Sequence, residues 1–320
     1  MTALHPDLVD ALLRPGRVLR AHGTGNDFVV LLDPDDDLVD LPASAVAALC
    51  DRHTGVGGDG VIRLGGPPPP GHLGDVDVAG ADVTMDYRNA DGGVVEMCGN
   101  GVRVVAKLAV DTGMVDAASD TLAVATRDGL RHVRVHRGSQ PDGPVERVTV
   151  DMGPPSNDPV TIGLDLDAIE GDVETFRLPD VPDLVFAGRS MGNPHAIARV
   201  DDVAAVALAD IGPRVERHAA FRDDVNLNVV QVLDDHHVAL RVWERGVGET
   251  MACGTGACAT VAALATAGGV LADDRPVVVS VGGGDLSIVV DDGGHLLMTG
   301  PAEVVGTVDL DAAWVATHLS

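Results

Sequence analysis

The sequence predicts an α/β protein made of two similar halves, and three observations carry that expectation. At 320 residues and 45% hydrophobic, the chain can bury more than one core, and its length suggests two domains. A Cys-Gly-x-Gly stretch followed by an apolar, helix-period segment occurs twice, at 97–113 (MCGNGVRVVAKLAVDTG) and 252–269 (ACGTGACATVAALATAGG). One half, doubled, is the economical reading. Short strand-like runs separated by glycine turns surround each copy. The expected domains are 1–144, with 300–320 returning to it and carrying Cys98, and 145–299, carrying Cys253.

Residues 17–32 begin and end as strand, with a tight polar turn at 22–27 in which Asn26, taken alone, reads as a turn residue. Residues 43–53 look helical and stop before Gly55. The following GVGGDG at 55–60 has the form of a dinucleotide fingerprint. It follows a helix and opens a strand at 61–64, the reverse of what that fingerprint needs, so it reads as a turn. Cys50 and His53 resemble half a zinc site, but no second pair at ligand spacing follows and no metal is expected. Residues 65–74, with prolines at 67–70, read as a stiff surface loop.

Strand-like 82–87 leads into a turn at 88–93, and the run 94–97 delivers the chain to Cys98. Strands are expected at 121–126, 130–136 and 145–152, with 137–144 as the interdomain crossing. Residues 184–187 form another strand, after which Pro194 restricts Asn193 to extended geometry and lets Asn193 and His195 be held rigidly. Residues 222–232 turn into a strand with Asn226 and Asn228 on one side by period two. Further strands are expected at 238–242, 276–281, 286–290 and 295–298. The span 250–272 carries no charge, yet its glycines argue against a membrane helix and for one buried at the centre of a domain.

Composition excludes several functions. With 22 basic against 49 acidic residues, the net charge of −27 repels nucleic acid and anionic membrane. The acidity falls in turns such as 33–37. Lys107 is the only lysine and lies within the first apolar helix, which speaks against a Schiff-base pyridoxal enzyme. Cys50, Cys98, Cys253 and Cys258 read as reduced thiols of a cytoplasmic protein, Cys258 as core, and the N-terminal region shows no secretory pattern.

Cys98 and Cys253 each precede a helix, where N–H groups and the helix dipole favour a thiolate. Two such ends suit removal of a proton from one face of a carbon and its return from the other, while backbone N–H groups hold a neighbouring carboxylate. A cysteine hydrolase would leave one copy idle, and neither cysteine lies in a C-x-x-C redox motif.

The ordered set HGTGNDF (22–28), RNADG (88–92), MCGNG (97–101), SMGNPH (190–195), VN (225–226), WERGVGET (243–250) and ACGTGA (252–257) resembles the diaminopimelate epimerase family. The resemblance implies a cofactor-independent isomerase that interconverts LL- and meso-diaminopimelate on the route to lysine and peptidoglycan. It implies two α/β halves, each a barrel-like sheet around a central helix, with the site in the cleft between them, and a homodimer. It assigns Cys98 and Cys253 as the acid–base pair, with Gly99, Asn100, Gly254 and Thr255 binding the reacting carboxylate through backbone N–H groups. Asn26, Asn89, Asn193, Asn226, Glu244 and Arg245 would hold the substrate, with His195 and Glu244 tuning the thiols. Arg245 suits a distal carboxylate and Glu244 an ammonium. One departure stands out: where many members carry a substrate-touching glutamine, this chain has Gly60. The alternatives are a related racemase acting on proline, hydroxyproline or histidine, whose proline-type members show histidine where Asn100 stands, and a non-catalytic isomerase-like binding protein, which should lack a thiol.

Overall fold

The computed structural model describes residues 16–35, 41–69, 71–116, 118–138, 143–270 and 275–319. Residues 36 and 37 of the acidic turn, Pro70 of the proline loop and 139–142 of the expected crossing lie outside them. The chain divides into two compact units, one formed by the described residues up to Val150 together with those from Gly300 on, the other by Asp151–Thr299.

In the first unit, β1 (Arg17–Gly23) and β2 (Asn26–Asp33) form a hairpin. Its two turn residues, Thr24 and Gly25, both have positive φ, 56° and 81°, as a type I′ turn requires. Asn26 thus opens the strand instead of sitting in the turn. Helix α1 (Ala43–Cys50) ends earlier than Gly55 because the Asp51 carboxylate captures the N–H groups of His53 and Thr54, both at 2.7 Å. Next come β3 (Gly60–Gly65), β4 (Val83–Asn89) and the two-residue β5 (Val94–Val95). Helix α2 (Gly99–Asp111) follows, then β6 (Thr121–Thr126), β7 (Gly129–Arg137) and β8 (Val145–Asp151). β2 pairs parallel to β3 and β4 parallel to β6; the other neighbours are antiparallel. The β7–β8 register runs from Val133↔Val150 to Arg137↔Val145, so β7 and nearly all of β8, which flank 138–144, belong to the first unit. Lys107 of α2 is held by Asp111 (2.7 Å) and the Val145 carbonyl (2.6 Å).

The second unit opens with α3 (Pro159–Ile162), β9 (Glu170–Asp172) and β10 (Thr175–Leu178). It then repeats the plan of the first. β11 (Val181–Ser190) and β12 (Pro194–Arg199) are antiparallel, helix α4 (Leu208–Glu216) follows, and β13 (Asn226–Asp234) lies parallel to β12. β14 (His237–Glu244), the short β15 (Gly248–Thr250) and helix α5 (Gly254–Thr266) come next. β16 (Val277–Val281) lies parallel to β14, and β17 (Gly284–Val290) and β18 (Leu296–Pro301) close the series. β11 to β18 thus match β1 to β8 one for one. The chain then returns to the first unit as β19 (Glu303–Asp309), antiparallel to β1, and α6 (Ala312–His318).

The two units bury corresponding helices. Apart from Lys107 and Asp111, every residue of α2 is buried, and the helix packs on β1, β3, β4, β6 and β7. α5 is buried from Gly256 to Leu264 and packs on β11, β12, β13 and β17. α5 carries no charged residue on any side, and such a helix has to sit inside its sheet. Among the described residues, no helix is long and apolar enough to cross a membrane.

Candidate active site

The two cysteines occupy the same local position. Cys98 is the N-cap of α2, with extended φ/ψ of −141° and 112°, and its Sγ accepts the Gly101 N–H at 3.4 Å. Cys253 is the N-cap of α5, at −121° and 111°, and its Sγ accepts the Gly256 N–H at 3.4 Å. Thr255 Oγ1 also lies 3.4 Å from that sulfur. Helix geometry leaves the first-turn N–H groups outside the helical ladder, and at each terminus one of them is spent on the sulfur. Both caps have a closely packed glycine as the third helical residue. A Cβ on Gly101 would meet Ile62 Cδ1 at 3.0 Å, and one on Gly256 would meet Asn228 Nδ2 at 3.2 Å and Cys253 Sγ at 3.3 Å.

Around Cys98 the polar side chains form one oriented series. Arg103, fully buried in α2, donates to Thr24 Oγ1 (2.8 Å) and Asn100 Oδ1 (2.9 Å). Asn100 therefore turns its Nδ2 to Asn26 Oδ1, 3.3 Å away. Asn26 donates to the Asp59 carboxylate at 2.8 Å, which leaves its oxygen toward Cys98 Sγ at 3.7 Å. Asp59 is in turn paired with Arg52, and Arg52 with Asp27. Arg103, Thr24 and Asp59 did not stand out in the sequence. Their signal is positional: Thr24 and Asp59 lie within turn stretches, and Arg103 is the one charge on the buried face of its helix.

In the second unit His195 is fully buried on β12. Asn228 Nδ2 donates to the Gly256 carbonyl (2.7 Å) and to Thr260 Oγ1 (2.9 Å), so its oxygen faces His195 Nδ1 at 3.1 Å. Burial pushes the imidazole down to about 4; the Asn228 bond opposes this and the Arg245 charge adds to it. The ring is neutral, the proton sits on Nδ1, and Nε2 is an acceptor. Asn193 Oδ1 lies 3.1 Å from Nε2; a neutral ring with its proton on Nδ1 has nothing to donate there, so that tautomer requires the Asn193 amide to turn over and offer its NH2. Through Asn228 and the first turn of α5, the imidazole is coupled to the residue whose N–H caps Cys253.

The remaining expected residues fall at strand ends. Asn226 is buried, donating to the Pro194 carbonyl (2.9 Å) and accepting the Arg245 N–H (3.0 Å). Arg245 Nη1 holds the Asp223 carbonyl at 2.9 Å, and Glu244 accepts from Thr250 Oγ1. Buried Glu216, which no sequence motif marks, takes Trp243 Nε1 and the Gly246 N–H, both at 2.7 Å, and so shapes the loop carrying Glu244 and Arg245. Asn89 ends β4, exposed, with its oxygen bonded by Tyr87. Cys50 and Cys258 belong to the cores, and burial pushes the Cys50 thiol up to about 11.

A sequence model of diaminopimelate epimerase matches residues 18–157 and 189–305. The diaminopimelate epimerase of Streptomyces coelicolor is 40% identical, over 93% of this chain and 96% of its own. That of Cupriavidus necator is 41% identical, over 92% and 97%. The chain belongs to the diaminopimelate epimerase family. It is an isomerase with a small-molecule substrate. Solved structures extend the fold beyond the family. A probable proline racemase from Agrobacterium radiobacter matches with a TM-score of 0.63 at 14% identity, over 92% of this chain and 93% of its own. A phenazine biosynthesis protein of the PhzF family from Bacillus anthracis matches at 0.62 and 16%, over 92% and 98%. At such identities the likeness concerns the two-domain α/β fold alone.

Proposed function

We propose that the chain interconverts LL- and meso-diaminopimelate without a cofactor, through an acid–base pair formed by Cys98 and Cys253. One sulfur, as thiolate, takes the α-proton; the electron pair left behind is delocalised into the adjacent carboxylate. The other sulfur, as thiol, returns a proton to the opposite face, so the pair ends with its protonation exchanged. The observation carrying this reading is the matched capping geometry, each sulfur 3.4 Å from the N–H of the third helical residue. Donors so placed favour the charged sulfur and hold it still.

The carboxylate beside the reacting carbon is bound by the N–H groups of Gly99, Asn100, Gly254 and Thr255 at the two helix termini. Asn26 accepts from the Cys98 thiol, and His195, kept neutral, adds no positive charge beside the Cys253 helix. Asn89, Asn193, Asn226, Glu244 and Arg245 hold the distal amino-acid head, Arg245 by its guanidinium and Glu244 by its carboxylate. The enzyme works in the cytoplasm with reduced thiols, as a homodimer whose mass sedimentation would report.

The deciding experiment is α-proton exchange in D2O with reductant, offering LL-diaminopimelate beside proline, histidine and lysine. Exchange and epimerisation confined to diaminopimelate is the expected result. Exchange on another amino acid overturns the substrate assignment, and full turnover by both Cys98→Ala and Cys253→Ala overturns the mechanism.

A further inference from the structure

Register in the two units makes Gly60 and Asn226 counterparts. Phe28↔Gly60 across β2 and β3 corresponds to His195↔Asn226 across β12 and β13. By the same register Ile62↔Tyr87 corresponds to Asn228↔Val242. The second unit therefore places a side chain, Asn226, on one strand and a small residue, Val242, on the next. The first unit does the reverse. A Cβ on Gly60 would meet the Arg88 carbonyl at 2.3 Å and the Tyr87 ring at 2.5 Å. Gly60 is absent from the positive-φ residues, so glycine is needed there for room and not for backbone freedom.

Tyr87 is the only tyrosine of the chain. Its ring is buried edge-to-face against Phe28, with centroids 5.5 Å apart, and its hydroxyl donates to Asn89 Oδ1 at 3.0 Å. The packed ring leaves the hydroxyl little freedom. With the Asn89 oxygen engaged, the Asn89 NH2 is turned outward as a donor. Backbone bonds from Asn89 N to the Gly93 carbonyl and from Gly92 N to the Asn89 carbonyl fix the base of that side chain.

We infer that Tyr87 is a positioning residue that orients Asn89 as a hydrogen-bond donor toward the substrate, from the space that Gly60 leaves open. This rests on the reading of Asn89 as substrate-binding. It gives the chain's departure at residue 60 a meaning: the neighbouring strand supplies the polar group that residue 60 lacks. Tyr87 acts through Asn89 and does not itself touch the reacting atoms.

The test is a double-mutant cycle of Tyr87→Phe and Asn89→Ala on the full-length enzyme. Loss of one neutral hydrogen bond should raise KM for LL-diaminopimelate about three- to tenfold. kcat should stay within about twofold, because the bond acts on binding in ground and transition states alike. Tyr87→Phe in the Asn89→Ala background should add nothing, since residues acting through one contact are not additive. An unchanged KM for Tyr87→Phe, or additive effects, overturns the inference. Independently of any substrate, the side-chain amide 15N resonance of Asn89 should move in Tyr87→Phe; an unmoved resonance also overturns it. A wild-type enzyme inert toward diaminopimelate, but with that resonance moved, would reject the substrate reading while leaving the orienting contact in place.

Discussion

His195 Nδ1 lies 3.1 Å from Asn228 Oδ1, and the amide cannot turn over because its nitrogen is committed to the Gly256 carbonyl and Thr260. One side chain thereby dictates the tautomer of a fully buried imidazole. Asn228→Ala leaves the buried Nδ1–H without its acceptor, a cost of about 1–3 kcal/mol. Urea titration should show that loss, and 15N spectra of His195 should show the proton on Nδ1 in the wild type alone.

The same imidazole predicts a pH dependence of stability. Its native value, about 4, lies below the roughly 6.5 of an unfolded histidine. Below that unfolded value the denatured chain takes up a proton that the native state refuses, so stability falls as pH drops from about 6.5 toward 4. Linkage puts the loss between pH 7 and pH 5 at about 2 kcal/mol. His195→Gln should remove this part of the slope, and unfolding curves of both proteins at the two pH values would show it. Equal losses in the two proteins would contradict the neutral, buried ring.

The capping geometry separates chemistry from stability. Serine is a strong N-cap and alanine a poor one, the difference being about 1 kcal/mol. Cys98→Ser and Cys253→Ser should each melt no lower than the wild type, while the alanine variants melt lower. All four should lose turnover by about a hundredfold to ten-thousandfold, the usual scale for a missing general acid or base. Calorimetry beside the D2O exchange assay reads both quantities.

Arg245 offers its guanidinium at the end of β14, with one nitrogen already bonded to the Asp223 carbonyl. Removing a charged partner of a carboxylate costs about 1.5–3 kcal/mol, so Arg245→Ala should raise KM for diaminopimelate by roughly one to two orders of magnitude. Lysine should recover only part of this, because it cannot form the forked pair.

Gly212 faces the indole of Trp243, and a Cβ there would lie 2.3 Å from the ring. Gly212→Ala should displace Trp243 and break its 2.7 Å bond to Glu216, with a destabilisation of about 1–3 kcal/mol from overpacking. Because Glu216 also holds the Gly246 N–H, KM should rise with the instability.

The duplicated helices, their capping cysteines and most strands were legible because each depends on local signals: period, glycine turns and a repeated motif. The sequence does not predict α4, since Gly212 and Pro213 inside it look like breakers. The glycine is there for the Trp243 ring, which is distant in sequence. Asn228 was placed on the correct side of its strand by period two, but its function depends on α5 and β12, which no local pattern brings together. Tyr87 carries no local signal of its role, because a tyrosine in a strand ordinarily signals packing alone. Asn26 read as a turn residue because a turn centred on Thr24 is unexpected; a β-branched residue rarely takes positive φ, and here Arg103 holds its hydroxyl.

The register that equates Phe28 with His195 shows how far the two copies have drifted apart. An acid–base pair with unlike surroundings has two resting forms of free enzyme, differing in which sulfur carries the proton, and these forms are unequal in energy. Thermodynamics fixes the final ratio of the stereoisomers whatever the enzyme does. For the proposed pair of Cys98 and Cys253, the unlike neighbours would instead decide which form accumulates between turnovers, and hence which stereoisomer more often meets a protein already prepared for it.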